Sequence, residues 1–314
     1  MERVAAIQIN ARLGDVAYNL DHVRELAEDA ANQGAKVIAV PEFFTTPIVL
    51  DDCVYQCALP PENQALDLLK EIATNYEVII GGSYLEKRNG EVFNCYALVR
   101  PDGTVTRHYK DIPTMIENAF YIGGNTAGIH QTDMGRIGTA LCWEQIRTQT
   151  VRRLKDKVDF LMTGTHWWTI PKNWSIFKST FAKMDVENLE IFRSTPGVLA
   201  KLLGTVNIHA SHCGSVAGKY PILPWGRWDV PYETDLLGET QIIDNTGQIL
   251  ARRTREDGPG VIIADVDLTA QKPTLELPDR FWIPELPSTI KLMWHHQNIL
   301  SKPLYKRAKK ERKI

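Results

Sequence analysis

Val40-Pro41-Glu42-Phe43-Phe44 places a carboxylate where an apolar, strand-like run stops. Two later stretches do the same with other reactive groups: Arg107-His108-Tyr109-Lys110 ends in an ammonium, and Thr139-Ala140-Leu141-Cys142-Trp143-Glu144 contains a thiol. A carboxylate, an ammonium and a thiol are the groups that thiol attack on a carbon bonded to nitrogen requires. We therefore treat the three stretches as parts of one site.

The sequence around these stretches alternates between strand and helix patterns. Residues 4–9 and 36–40 have the pattern of strands. Between them, the apolar positions from Leu20 to Ala31 fall on one face of a helix, with Asn19 as the expected N-cap. The middle of the chain contains strand-like runs joined by Asn-Gly and Asp-Gly pairs, which favour hairpin turns. This mixture predicts mixed sheets covered by helices in a single domain.

Residues 269–314 differ from the rest of the chain. They contain five prolines and little strand pattern, and prolines discourage long regular elements. Residues 302–314 carry seven Lys or Arg and one Glu. We expect an extended arm that contacts another subunit and ends in a basic tail. A solvated tail is favoured over one that binds nucleic acid, because no aromatic platform accompanies the charges.

The composition is that of a globular protein with reduced thiols. Of 314 residues, 44% are apolar and 24% are charged, and the formal net charge of −2 gives no reason to expect a nucleic-acid or membrane partner. No run approaches the roughly 20 apolar residues of a membrane span, and the first residues lead directly into a strand-like run rather than a signal peptide. With five cysteines, an odd number, we expect a cytoplasmic location.

Each reactive residue has an ordinary explanation when it is taken alone. A cysteine in an apolar run such as the one that ends at Cys142 is most often a small core residue, and Lys110 would more often be a solvated turn lysine. Glu42 differs, because an apolar strand precedes it and two phenylalanines follow it. Burial should raise the pKa of its carboxyl, as a general base near neutral pH requires. Together the three residues provide a nucleophile, a base and a positive charge for an oxyanion.

The order and flanks of these residues resemble the nitrilase superfamily, the carbon–nitrogen hydrolases. Members carry strand–Pro-Glu, then Lys, then Cys-Trp-Glu or Cys-Tyr-Asp, as this chain does. The resemblance implies that Glu42 is the base, Lys110 the catalytic lysine and Cys142 the nucleophile. The second glutamate of the family, downstream of the lysine and ahead of a Gly, matches Glu117. It would orient Lys110 and hold the attacking water.

The resemblance also implies a fold and an activity. The fold is of the α/β class, a four-layer α-β-β-α sandwich over residues 1–268, with residues 269–314 as an extended C-terminal arm. Two or more copies are expected to form a homodimer or a larger homo-oligomer. The activity is hydrolysis of a non-peptide C–N bond in a small amide through a thioester on Cys142, with no metal and no organic cofactor. A nitrile or an N-carbamoyl (ureido) compound is the alternative substrate, and a non-catalytic binding subunit is the alternative role.

Substrate choice is expected to depend on residues that follow the cysteine. The residues expected to bind the substrate are Trp143, Glu144, Arg147, His166 and Trp167. This part of the chain departs from the family, because members with Cys-Tyr-Asp usually continue Leu-Arg-Phe-Pro where this chain has Gln-Ile-Arg-Thr. Several tryptophans could equally line an aromatic-walled pocket or serve in the core and in subunit contacts. They are Trp143, Trp167, Trp168, Trp174, Trp225 and Trp228.

Two other arrangements are less favoured. His209-Ala210-Ser211-His212-Cys213 offers three metal ligands in five residues, but alternation along a strand would separate them, and no second cluster has zinc-like spacing. We therefore expect no metal. A papain-like pair of Cys142 with His166 or His212 is possible in principle, but it leaves the two glutamates and the lysine without roles.

Overall fold

The computed structural model describes residues 1–174, 178–223, 228–311 and 313. Within these ranges the chain forms six α-helices and fourteen strands. The helices are α1 (Val16–Asn32), α2 (Cys53–Gln56), α3 (Gln64–Tyr76), α4 (Thr148–Leu154), α5 (Lys178–Leu203) and α6 (Ser288–Lys310). The strands are β1 (Glu2–Ile9), β2 (Val37–Ala39), β3 (Ile79–Arg88), β4 (Glu91–Val99), β5 (Val105–Tyr109), β6 (Ile129–Thr132), β7 (Gly135–Leu141), β8 (Phe160–Gly164), β9 (Val206–His212), β10 (Ser215–Pro221), β11 (Asp229–Asp235), β12 (Thr240–Ile243), β13 (Ile249–Arg253) and β14 (Gly260–Val266). Two 3₁₀ turns span Met115–Ala119 and Cys142–Ile146.

Most of the strands form two half-sheets that meet along one short pairing. The first half has the order β5-β4-β3-β2-β1, and β14 adds to β1 in the antiparallel direction. The second half has the order β9-β8-β7-β6, and β12 joins β9 to β13. The halves connect where Gln8 and Ile9 of β1 pair with Ser211 and His212 of β9. Strands β10 and β11 form a separate hairpin.

The apolar core lies in layers on both faces of each half-sheet. Between the halves, Val4 and Ala6 of β1 share a cluster with Phe160 and Met162 of β8. The outer face of the first half packs against α1 and α3, and the outer face of the second half packs against α4 and α5. This arrangement is the four-layer α-β-β-α sandwich, which confirms the predicted fold class.

Strand β1 shows why these sequences suit their positions. Val4 and Ala6 face the second half-sheet, whereas Ala5 and Ile7 face the helices, so both faces of the strand are buried. A strand covered on both faces needs a nearly continuous apolar run rather than alternation. The polar exception is Gln8, whose amide nitrogen donates to the carbonyl oxygen of Thr254 at 2.7 Å.

Helix α1 begins before the residue that was expected to cap it. Asp15 is the N-cap, and its Oδ1 accepts a hydrogen bond from Tyr18 N at 3.1 Å. The prediction that Asn19 caps the helix is therefore wrong. Asn19 lies inside the helix, and its amide ties down the neighbouring loops by donating to the carbonyl oxygens of Arg12 and Thr45. None of the helices within the described ranges combines the length and the apolar character needed to cross a membrane.

The C-terminal segment is more regular than the sequence indicated. Residues 269–287 contain no helix or strand in the part of the chain that the structure describes, as expected for an arm. From Ser288 onwards the expectation is wrong, because α6 continues for 23 residues and includes Pro303. The helix forms despite the proline because tertiary packing of one face stabilises it, with Ile290 and Leu300 among its buried residues.

Tyr305 attaches the end of α6 to strand β4. Its hydroxyl donates to Glu91 Oε2 at 2.6 Å and accepts from the backbone N–H of Val92 at 2.9 Å. Because Val92 is buried, its N–H would have no partner without the hydroxyl.

We predict that Tyr305→Phe lowers the free energy of unfolding by about 1–3 kcal/mol, measured by urea denaturation. Lys306→Ala, at the neighbouring exposed position, is the control and should change it by less than about 0.5 kcal/mol.

Candidate active site

The carboxylate of Glu42 lies just beyond the end of β2 and is completely buried. Its Oε1 accepts hydrogen bonds from Asn94 Nδ2 at 2.8 Å and from Lys110 Nζ at 2.9 Å, and its Oε2 accepts from the backbone N–H of His166 at 3.0 Å. Burial raises the pKa of this carboxyl to about 7, although the charge of Lys110 opposes the shift. The group can therefore exchange a proton near neutral pH.

The ammonium of Lys110 lies between two carboxylates. The residue directly follows β5, and its Nζ is 2.9 Å from Glu42 Oε1 and 2.8 Å from Glu117 Oε2. All three side chains are fully buried. Burial lowers the pKa of Lys110, but the two carboxylates more than offset this effect and hold the pKa well above its usual value. The lysine therefore stays positively charged.

Glu117 belongs to the 3₁₀ turn Met115–Ala119. Its Oε2 accepts from Lys110 Nζ, from the backbone N–H of Thr114 at 2.7 Å and from the hydroxyl of Tyr121. Its other oxygen, Oε1, is buried and has no hydrogen-bond partner among the described residues. One oxygen thus fixes the side chain, and the other is free to accept a hydrogen bond.

The thiol of Cys142 lies at the end of β7, at the start of the second 3₁₀ turn. Its φ is +47°, a left-handed conformation that costs a non-glycine residue on the order of 1–3 kcal/mol. The Sγ and one carboxylate oxygen each from Glu42 and Glu117 lie within 4.8 Å of one another. Burial and the charge of Glu42 raise the pKa of the thiol well above its usual value, so the thiol needs a base to become a nucleophile.

Two acidic residues and a cysteine this close together also have the spacing of metal ligands. Lys110, however, already lies between the two carboxylates, and its Nζ donates a hydrogen bond to each of them. Its ammonium supplies the positive charge that a buried pair of carboxylates requires.

A small cavity of about 50 Å³ opens beside Cys142. It is lined by Thr114, Met115, Ile116, Cys142, Trp143, His166, Trp167, Trp168, Thr169, Ile170, Pro171, Asn188, Tyr220, Tyr232, Ile290 and Met293. Three of the five predicted substrate-binding residues, Trp143, His166 and Trp167, are therefore next to the thiol. Of the other tryptophans, Trp168 also lines the cavity, Trp228 is exposed, and Trp225 lies outside the described residues.

Glu144 was expected to bind the substrate, but it does not line this cavity. Its buried carboxylate accepts from the backbone N–H of Leu141 at 2.8 Å and lies 3.1 Å from Nε2 of His108. Arg153 Nη1 lies 3.4 Å away. Burial opposes ionisation, but His108 and Arg153 hold the pKa of Glu144 well below its usual value. The side chain therefore fixes the turn that presents Cys142.

Arg147, also expected to bind the substrate, is turned away from the cavity as well. Its Nε donates to the carbonyl oxygen of Trp143 at 2.9 Å, and its Nη1 lies 2.8 Å from Asp111 Oδ1. The guanidinium is almost fully buried. Neither Glu144 nor Arg147 lines the cavity, because the 3₁₀ turn directs both side chains behind the thiol.

The histidines that were considered as metal ligands have partners within the protein. His209 Nδ1 lies 2.8 Å from the hydroxyl of Thr163, and His212 Nε2 lies 2.6 Å from the carbonyl oxygen of Glu42. Burial lowers the pKa of both imidazoles, to about 3 for His209 and about 4 for His212. His212 thereby supports the backbone that carries the carboxylate of Glu42.

The family model for carbon–nitrogen hydrolases matches residues 3–184, more than half of the chain. The chain belongs to the carbon–nitrogen hydrolase family. The cluster of Glu42, Glu117 and Cys142 next to Lys110 fits the family's set of catalytic groups.

Curated relatives of this carbon–nitrogen hydrolase include amidases and nitrilases. A chloroplastic omega-amidase of Arabidopsis thaliana is 26% identical over 272 residues, which cover 81% of this chain and 64% of the relative. An aliphatic nitrilase of Rhodococcus rhodochrous is 24% identical over 295 residues, which cover 85% of this chain and 75% of the relative. The chain spans between about half and two thirds of the length of the first curated relatives that it matches, at 64%, 52% and 60%.

Solved structures of other members of the hydrolase superfamily share the fold. An amidase of Nesterenkonia AN1 superposes with a TM-score of 0.63 at 17% identity, covering 84% of this chain and 90% of that one. A CN-hydrolase superfamily protein of Xanthomonas campestris, which carries an arsenic adduct in its active site, gives 0.61 at 18% identity, with 84% and 89% covered. At sequence identities this low, the similarity shows a shared fold and nothing more.

Sequence reasoning missed several residues that hold the hydrolase site together. Asn94 donates to Glu42, and Tyr121 donates to Glu117. Asn94 interrupts an otherwise apolar strand, which is a signal that a polar partner lies nearby. His108, two residues before Lys110, lies 3.1 Å from the carboxylate of Glu144, and nothing in the sequence indicated this contact. Ile290 and Met293 of α6 carried no signal, because they come from a segment that was expected to be an irregular arm.

Helix α6 also supports the turn that carries Glu117. Asn298 Oδ1 accepts from the backbone N–H of Met115 at 2.8 Å and from Asn118 Nδ2 at 2.9 Å. Met115 has a φ of +53°, so its backbone is strained and needs this support. The C-terminal helix, which lies outside the segment matched by the family model, thus fixes the turn that carries Glu117.

We predict that Asn298→Ala lowers kcat/KM about tenfold, because the turn at Met115 relaxes and Glu117 loses its fixed position; this corresponds to about 1.4 kcal/mol of transition-state stabilisation. Ammonia release is the measurement, with circular dichroism to show that the variant is folded. Lys302→Ala changes an exposed residue in the next turn of α6 and should leave kcat/KM unchanged. Equal kcat/KM in the wild type and in Asn298→Ala would contradict the supporting role.

Proposed function

We propose that this carbon–nitrogen hydrolase cleaves a small amide through a thioester on Cys142 and releases a carboxylic acid together with ammonia or an amine. The observation that carries the proposal is the buried network in which Lys110 bonds to both Glu42 and Glu117, with the thiol within 4.8 Å of both carboxylates. Amidases among the relatives and among the structural neighbours support the same chemistry.

Acylation begins with a proton transfer from the thiol to Glu42. The thiolate sulfur then attacks the carbonyl carbon of the amide, and the carbonyl π electrons move to the oxygen. The tetrahedral oxyanion is stabilised by the ammonium of Lys110 and by the backbone N–H of Trp143, which follows the nucleophile in the turn. When the C–N bond breaks, the nitrogen takes the proton back from Glu42 and leaves, so that the acyl group remains on Cys142.

Hydrolysis of the thioester uses the same base a second time. Glu42 takes a proton from water, and the hydroxide oxygen attacks the acyl carbon. The free Oε1 of Glu117 is the acceptor that holds this water. The second tetrahedral intermediate collapses with cleavage of the C–S bond, and the sulfur recovers its proton from Glu42. The acid leaves, and the enzyme returns to its starting state without a metal or an organic cofactor.

A true nitrilase is the second candidate, and the Cys-Trp-Glu sequence favours it. The thiolate would add to the carbon of C≡N and form a thioimidate. Addition of water and loss of ammonia would then give the same thioester. A nitrilase of Pyrococcus abyssi and an aliphatic nitrilase are among the relatives, as is an N-carbamoylputrescine amidase.

Trp143, His166 and Trp167 are the proposed substrate contacts, because they line the cavity beside the thiol. Association into a homodimer or a larger homo-oligomer also stays a proposal. It is supported by two apolar residues on the outer face of α6, Leu292 and Ile299, each about 70% exposed in the single chain. A cytoplasmic location stays a prediction from the sequence.

Ammonia release measured over a panel of aliphatic amides, the matching nitriles and ureido compounds tests the reaction type. We expect amides to be hydrolysed with the highest kcat/KM. Cys142→Ala should reduce the rate to background for every compound, whereas Cys57→Ala, which removes another buried thiol, should retain the wild-type rate. Hydrolysis that persists in Cys142→Ala would refute the thioester mechanism, and a higher kcat/KM for nitriles would make the protein a nitrilase.

The pKa of Glu42 predicts how the reactivity of Cys142 depends on pH. Burial raises this pKa to about 7, so below this pH the carboxyl is protonated and cannot accept the thiol proton. The rate of Cys142 alkylation by iodoacetamide should therefore rise as the pH increases through about 7 and then level off. Mass spectrometry of the labelled peptide is the measurement.

Glu42→Gln is the matched variant, because it keeps the shape and removes the base. Its rate of alkylation at about pH 8 should fall by at least about 10²-fold. The step near pH 7 should disappear, which leaves only the rise at high pH from direct ionisation of the thiol. A step near pH 7 that survives in Glu42→Gln would assign the titration to another group.

A further inference from the structure

We propose that the C-terminal helix α6 closes the acyl pocket, so that the enzyme accepts short, uncharged aliphatic acyl groups and discriminates against those that carry a carboxylate or an ammonium. The inference rests on the proposed function, because it concerns the substrate of the same cysteine. It depends on residues beyond the segment 3–184 that the family model matches.

Ile290 and Met293, from adjacent turns of α6, form one wall of the pocket. Ile290 is buried in the apolar cluster that also contains Cys142 and Trp143, and Met293 packs against that cluster. The position of the helix is fixed independently, since Asn298 bonds to the 3₁₀ turn at Met115. These side chains therefore set the width of the space beside the thiol.

The volume of the pocket limits the size of the acyl group. The cavity measures about 50 Å³, whereas a cavity of about 150 Å³ accommodates benzene. A short aliphatic chain fits this space, and a phenyl ring does not.

The chemistry of the lining excludes charged acyl groups. Among the described residues, the lining contains no Asp, Glu, Lys or Arg side chain. The nearest charges known at the site, those of Glu42, Lys110 and Glu117, are already bonded to one another. A carboxylate or an ammonium on the acyl group would lose its hydration without gaining a counter-ion, which costs several kcal/mol.

Two polar residues of the lining already form hydrogen bonds with other groups of the protein. Asn188 Oδ1 accepts from Trp167 Nε1 at 2.9 Å, and Asn188 Nδ2 donates to the carbonyl oxygen of Trp168 at 3.0 Å. The hydroxyl of Thr169 lies 2.9 Å from that of Thr234 and accepts from the backbone N–H of Asp235. Neither residue is available to solvate a charge on the substrate.

His166 offers a hydrogen bond but no charge. The backbone N–H of Ile48 donates to its Nε2 at 3.4 Å, so the proton of the neutral ring is on Nδ1. That nitrogen is buried and has no partner among the described residues. Burial and the neighbouring His212 hold the pKa of the imidazole well below its usual value. A neutral N–H donor orients an uncharged group, but it cannot neutralise a carboxylate.

Pairs of amides with the same shape and different charge test the exclusion of charge. Malonamate matches isovaleramide but carries a carboxylate, and γ-aminobutyramide matches valeramide but carries an ammonium. We expect kcat/KM of the wild-type enzyme to be at least about 100-fold lower for each charged member, since several kcal/mol of unpaired burial correspond to that factor or more. Equal kcat/KM within either pair would overturn the inference.

Substitutions on α6 test its role as the wall. Ile290→Ala should raise the ratio of kcat/KM for phenylacetamide over isovaleramide by about tenfold or more, because it removes the side chain that limits the size of the acyl group. Met293→Ala, at a half-buried position, tests the same wall with less risk to folding. Lys291→Ala, at an exposed position of the same helix, should leave the ratio unchanged. An unchanged ratio in both pocket variants would refute the proposal that α6 limits the size of the acyl group.

A binding measurement separates this inference from the reaction itself. Each amide is tested for protection of Cys142 against iodoacetamide, which requires binding but no turnover. Isovaleramide should protect at a concentration at least about 100-fold lower than malonamate. If no amide or nitrile is hydrolysed, the proposed reaction is wrong, whereas this selectivity in protection would still support the pocket. Equal protection by the two compounds would refute the proposed selectivity for uncharged acyl groups, whether or not either compound is hydrolysed.

Discussion

The ion pair of Lys110 with two carboxylates is the interaction on which the site depends. Three fully buried ionisable side chains carry one positive charge and up to two negative charges. Burying the second negative charge is costly, and binding a proton near neutral pH relieves that cost. The pKa of Glu42, about 7, expresses this balance. The lysine thus offsets part of the cost of burying the two carboxylates, and Glu42 remains able to exchange a proton.

The fold maintains this network with strained backbone. Phe43, Met115 and Cys142 each have φ near +50°, and they belong to the segments that carry Glu42, Glu117 and the thiol. Such conformations persist where surrounding contacts hold them. The N–H of Phe43 donates to the hydroxyl of Ser83 in β3, and the N–H of Met115 donates to Asn298 in α6. Elements distant in sequence therefore determine where the reactive atoms lie.

Local sequence carried enough information to predict mixed sheets covered by helices and to group Glu42, Lys110 and Cys142, whereas the four-layer sandwich followed from the resemblance to the nitrilase superfamily. These residues follow strands whose apolar runs are visible in the sequence, and the ends of such strands meet in the fold. It could not predict which side chains after the cysteine face the pocket, because that depends on the direction of a 3₁₀ turn. Nor could it predict α6, because Pro303 argues against a helix and only packing with distant residues reveals why one forms.

Glu42 and Glu144 show why position near the thiol does not make a carboxylate a base. Both are fully buried, so desolvation raises the pKa of each. For Glu42 this effect outweighs the attraction of Lys110, whose charge is shared with a second carboxylate. For Glu144 it is outweighed by His108 and Arg153, and the backbone N–H of Leu141 adds a further hydrogen bond to the ionised form. Of these two residues, Glu42 is the one that can bind and release a proton near neutral pH, so the difference between their pKa values comes from the neighbouring charges rather than from burial.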